Sequence, residues 1–128
     1  HLLRAMHFMQ ENERVSLQAE ALKTEDIDAF FENVIASGLS SYRYLQNVYT
    51  TKNVNEQGLS LALCLCESFL KDKKAAWRVH GGGFAGTVQA FVPLSILESF
   101  RTEIDNALGE GACYVLSIRP QGGVELKA

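Results

Sequence analysis

Four glycines fall within six positions, Gly81, Gly82, Gly83 and Gly86, between two runs of β-favouring residues, Ala76 to His80 and Thr87 to Val92. Glycine has no Cβ, so its backbone takes positive φ freely and lets a ligand approach closely. It also loses the most chain entropy on folding. A cluster this dense demands a turn that only glycine makes, a backbone surface that touches something, or both. No helix runs through it, so this part of the chain is strand, turn and strand, with Pro93 closing the second strand.

The residues before this turn carry helical periodicity. Leu2, Met6 and Met9 recur at steps of four and three, with Leu3 beside them, and Val15, Ala19 and Leu22 extend the stripe. Ile27, Phe30, Phe31, Val34 and Ile35 follow the spacing of one helix face. Thr24 is the expected N-cap there, with Glu25 and Asp26 at the positive helix start and Gly38 at the C-terminal stop. A short helix is expected from Ser41 to about Tyr49. Another apolar face joins Leu59, Ala62, Leu63, Cys66, Phe69 and Leu70.

After the turn, Ser95 and Glu98 have the spacing of a capping box. Leu97, Phe100, Ile104 and Leu108 mark a helix that Gly109 stops. Cys113 to Ile118 and Val124 to Leu126 read as strands around the turn Pro120-Gln121-Gly122-Gly123. Helices followed by β-turn-β-α-β-β predict an α+β fold with a mostly antiparallel sheet.

The 128 residues are one domain's worth of chain, with no internal repeat or linker. A net charge of −3 without a basic block argues against a nucleic-acid surface. No apolar run reaches the roughly 20 residues of a membrane span, and no signal-peptide pattern occurs. Three cysteines cannot all pair, which favours a reducing, cytoplasmic location. The chain opens at His1 inside a helical pattern, so it reads as part of a longer protein.

Several motifs share the glycine spacing. Gly81, Gly83 and Gly86 satisfy G-x-G-x-x-G, but a dinucleotide site needs a helix to start at the turn, and Thr87 to Val92 is strand-like. Val88 extends the pattern to that of the protein-kinase loop, whose V-A-I-K, H-R-D and D-F-G partners are absent. His80-Gly81-Gly82-Gly83 matches the HGGG of some esterases, but the chain holds no G-x-S-x-G elbow. A glycine hairpin without a ligand fits the same spacing.

Arg78-Val79-His80-Gly81-Gly82-Gly83-Phe84-Ala85-Gly86-Thr87 resembles the third motif of the GHMP small-molecule kinases. In galactokinases that motif typically reads Arg-Met-Thr-Gly-(Gly/Ala)-Gly-Phe-Gly-Gly-Cys. Arg4-Ala5-Met6-His7 and Glu11-Asn12-Glu13-Arg14-Val15 are similar to the galactokinase helix with Arg-Ala-x-His and Glu-Asn-x-Arg-Val. Ser37-Gly38-Leu39-Ser40-Ser41 stands where the family often has Ser-His-x-Ser-Leu. His80, Ala85, Thr87 and Gly38 depart from the usual residues.

The resemblance spans nearly the whole chain and implies that residues 1–128 are the C-terminal domain of a galactokinase-like kinase. The implied fold is a ferredoxin-like antiparallel sheet with extra N-terminal helices. The implied reaction transfers the γ-phosphate of ATP, with Mg²⁺, to galactose or a related sugar. Gly81, Gly82, Gly83, Phe84, Ala85, Gly86 and Thr87 then form a loop at the phosphate and sugar site, with His80 as a candidate cleft contact. The catalytic residues belong to an N-terminal domain outside this chain, so the piece alone is expected to be inactive and to bind neither ATP nor metal. A sugar-binding regulator on the same fold is the alternative. A missing domain implies exposed apolar surface near the loop, and with it a possible homodimer of the piece alone.

Other residues have plainer readings. His7 reads as a structural hydrogen-bonder, and Glu11, Glu13 and Arg14 as a solvated face or an ion pair. Cys64 and Cys66 point about 200° apart on a helix and form no metal motif; with Cys113 they read as buried thiols. Tyr42, Arg43, Tyr44 and Tyr49 either line a sugar cleft or pack half-buried. Ser37, Ser40 and Ser41 are cleft hydroxyls or helix-end residues.

Overall fold

The computed structural model describes residues 1–84 and 86–125. Over these residues it is a small α+β protein of four α-helices and one antiparallel strand pair: α1 (Leu2–Lys23), α2 (Ile27–Ser40), α3 (Gly58–Leu70), β1 (Ala76–Val79), β2 (Val88–Phe91) and α4 (Leu97–Leu108). None of these helices is long and apolar enough to cross a membrane.

The strands flank the glycine turn as the sequence predicts, in a register that sets Ala76 opposite Phe91 and Val79 opposite Val88. Alternation along β1 splits its side chains between two faces. Trp77 and Val79 turn toward α3 and α4, where Cys66, Leu70, Ala75, Phe100 and Ile104 form the main core and Val48, Leu59 and Val79 a smaller one. Phe69 and Phe100 meet edge to face with ring centroids 5.6 Å apart. Ala76 and Arg78 turn toward α2, whose Phe30 meets Phe91 of β2 edge to face and whose Phe31 packs against it at a tilt. The apolar faces expected for α3 and α4 are the ones that pack, except that Leu108 is exposed, and Gly109, at φ +111°, ends α4.

Several boundaries differ from the sequence-based expectation. Thr24 ends α1 instead of capping α2: its hydroxyl donates to the Glu20 carbonyl at 3.0 Å. Asp26 caps α2, accepting the Ala29 N–H at 3.0 Å. Gly38 lies inside α2 because β1 crosses so closely that a Cβ there would sit 2.8 Å from Arg78 Cβ. Ser95 caps nothing, since residues Leu94–Ile96 form a 3₁₀ turn and α4 starts after it. The helix expected to reach Tyr49 is a π turn, Ser41–Leu45, ended by Gln46 at φ +55°.

The expected strand at Cys113 to Ile118 does not form. Residues 112–125 include no strand, and Tyr114, Leu116 and Ile118 are 81%, 89% and 87% exposed. β-favouring side chains become a strand only against a free edge and an apolar face, and this segment lies on neither. Val124 and Glu125 are likewise irregular, and Leu126 falls outside the described residues. The stripe expected to bury α1 is also turned out: Leu2, Met6, Met9, Val15 and Leu22 are exposed, and the helix packs inward through His7, Gln10, Glu11, Arg14, Gln18 and Ala21.

Candidate functional site: the glycine loop and its polar supports

The loop between β1 and β2 makes its turn with left-handed residues at Gly81 (φ +61°), Gly83 (+74°), Phe84 (+54°) and Gly86 (+84°). Phe84 is the costly one, because a Cβ disfavours this region and glycine does not. Its N–H donates to the Asn47 carbonyl at 2.9 Å, and its ring is 66% exposed. At the base of the loop the His80 N–H donates to the Thr87 carbonyl at 3.0 Å. His80, Gly81, Gly82, Phe84, Gly86 and Thr87 are exposed, and Gly83 is half-buried against Asn47. Ala85 lies outside the described residues.

The N–H groups of Gly81, Gly82 and Gly83 have no protein acceptor among the described residues. Successive exposed N–H groups on a glycine backbone form a site for anionic oxygens, with no side chain in the way. His80 stands at the edge of the loop without a side-chain partner among the described residues.

Two polar clusters lie beside the loop, one anchoring the strand that leads into it and one touching the loop itself, and each draws on residues far apart in sequence. The first centres on Arg78, which β1 directs toward α2 and α1. Its guanidinium donates to Ser37 Oγ at 2.5 Å and lies 3.5 Å from Glu11 Oε1. Ser37 in turn donates to Glu11, which also pairs with Arg14 at 2.7 Å. Burial pushes the Glu11 carboxyl up, but the Ser37 hydrogen bond and the charges of Arg14 and Arg78 outweigh it, so the group sits below its ordinary value. One turn along α1, His7 Nδ1 lies 3.0 Å from Ser40 Oγ.

The second centres on Asn47, just beyond the π turn and 2% exposed. Its Oδ1 accepts from Ser41 Oγ at 3.0 Å, and its Nδ2 donates to the Gly82 carbonyl at 3.2 Å. Gly83 lies so close that a Cβ would collide with the Asn47 backbone and side chain.

Gln10, accepting from Ser40 Oγ at 3.5 Å and from Arg14 at 3.2 Å, joins His7 and Ser40 to Glu11, Arg14, Ser37 and Arg78 in one network. Ser37, Ser40 and Ser41 are buried and hydrogen-bonded in these clusters, and Ser40 and Ser41 stand at the end of α2, as the helix-end reading expects. Glu13 stays exposed. Tyr42 and Tyr49 are exposed beside a separate cleft of about 430 Å³ with Thr50, Thr51, Glu56 and Gln57, whereas Tyr44 is half-buried. Cys64 is exposed, a departure from the expectation of three buried thiols. Burial, with Cys113 nearby, pushes the Cys66 thiol up to about 11, as suits a packing residue. Among the described residues no group of three His, Cys, Asp or Glu side chains is placed to hold a metal ion.

Sequence reasoning missed Asn47 and the Glu11–Arg78 pairing. An asparagine next to a turn reads only as a turn residue, and no local spacing links residues 67 positions apart. Comparison with protein-family models, curated proteins and solved structures finds no match to this chain.

Proposed function

We propose that this chain is the C-terminal part of a galactokinase-like sugar kinase, with residues 78–87 forming one wall of its cleft. One observation carries the reading. The three stretches that resemble the family, Arg4 to Val15, Ser37 to Ser41 and Arg78 to Thr87, meet in a single hydrogen-bonded network through Glu11, Ser37 and Arg78. Residues chosen only for likeness to a family pattern have no reason to converge in space unless the pattern describes one site.

In this reading the free N–H groups of Gly81, Gly82 and Gly83 face the anionic oxygens of the transferred phosphoryl group. Phosphoryl transfer depends mainly on positioning and charge stabilisation, and fixed backbone dipoles supply both. Asn47 holds the loop's shape before substrate arrives, and Arg78 ties the strand that leads into it to α1 and α2. In this reading the Mg²⁺ ligands and the catalytic groups belong to the N-terminal domain. The exposed apolar residues of α1 support a covering domain, and a ferredoxin-like sheet would be completed by strands beyond this pair. The three free cysteines support a cytoplasmic setting.

A coupled assay of the complete protein, run across several sugars with ATP and Mg²⁺, tests the reading. The expected result is sugar-dependent ADP formation by the complete protein and none by residues 1–128 alone. Sugar binding without turnover would favour the regulator instead, and turnover by residues 1–128 alone would overturn the division of labour.

A further inference from the structure

We infer that Asn47 is a positioning residue that makes Gly83 a paired donor and acceptor for a hydroxylated, anionic substrate. The inference rests on the cleft reading above and assigns Gly83 its part in it. Asn47 holds the loop at two points, one on each side of Gly83: its Nδ2 takes the Gly82 carbonyl at 3.2 Å, and its own carbonyl takes the Phe84 N–H at 2.9 Å. Both peptide planes are trans, so the C=O and N–H of each point in opposite directions. The Gly82 carbonyl turned in toward Asn47 turns the Gly83 N–H away from it. The Phe84 N–H turned in toward Asn47 does the same to the Gly83 carbonyl. Neither Gly83 group has a protein partner among the described residues.

One residue therefore offers a donor and an acceptor on the side away from Asn47. A phosphate oxygen accepts from the first, and a sugar hydroxyl donates to the second. Glycine is required at this position twice over, by φ +74° and by the contact with Asn47. The clamp is itself held: Ser41 fixes the Asn47 amide from behind, and the buried amide has each polar atom bonded. Gln46, at φ +55°, delivers Asn47 to the loop as the chain leaves the π turn.

The test uses the complete protein with Asn47→Ala, Asn47→Asp and Ser41→Ala, read by hydrogen exchange of residues 80–87 and by steady-state kinetics. Asn47→Asp keeps the shape and the acceptor for Ser41 but loses the donor to Gly82. Both Asn47 variants should speed exchange at the bonded loop amides, His80 and Phe84, about tenfold, the weight of one lost hydrogen bond, with α3 and α4 unchanged. KM for the sugar should rise about as much, with a smaller fall in kcat. Ser41→Ala should show a lesser version of both effects.

Exchange and KM within about twofold of the parent in Asn47→Asp would overturn the inference. Faster exchange throughout the molecule would overturn it too, by making Asn47 merely structural. A parent protein without kinase activity would count against the proposed function alone, because loop exchange still decides whether Asn47 holds Gly83.

Discussion

Glu11 shows how a half-buried carboxylate earns its place in this molecule. Its pKa falls below the ordinary 4.5 despite burial, because Ser37, Arg14 and Arg78 all favour the charged form. A carboxyl lowered in the folded state stabilises the fold fully above its unfolded pKa. That stability is lost as pH falls through the lowered value. Thermal melts of the parent should therefore lose Tm below pH 4.5, and Glu11→Gln should flatten that part of the profile. At neutral pH the substitution should cost about 1–2 kcal/mol, since the pair is partly solvated and leaves Arg78 less well matched. An unchanged acid limb in Glu11→Gln would mean that other carboxylates govern it.

Among the elements, α2 and β1 are joined by a glycine that helix propensity alone would disfavour. Gly38→Ala removes a backbone-entropy penalty worth about 1 kcal/mol in a helix interior. It also drives a methyl group to 2.8 Å from Arg78 Cβ, which a strand backbone holds in place. Overpacking of this kind costs about 1–3 kcal/mol, so denaturant unfolding should show a net loss of stability. A gain would mean that β1 moves away at little cost. The sequence made this glycine look like a helix stop, because the strand that needs it lies 40 residues further on. By the same logic α3 and α4 were legible, since their apolar faces are buried by one shared core. Residues 113–118 have the composition of a strand, but composition does not supply the neighbouring edge. The glycine loop was legible as a turn, and its free donors followed from glycine itself; the Asn47 clamp was not, because its hydrogen bonds join distant backbone atoms.

The whole molecule is held by two different kinds of contact. On one side of the sheet, α3 and α4 exclude water around Leu70, Phe100 and Ile104. On the other, α2 packs Phe30 and Phe31 against Phe91, and α1 lies on α2 with its polar face inward, anchored by Glu11, Arg14 and His7, while its exposed apolar residues face out. Charge pairs weaken as dissolved ions screen them, whereas apolar burial does not. Raising the ionic strength with sodium chloride should loosen α1 first, read as faster hydrogen exchange over residues 2–23 while α3 and α4 hold. The orientation of one helix thus gives this chain an outer layer that responds to salt over a body that does not.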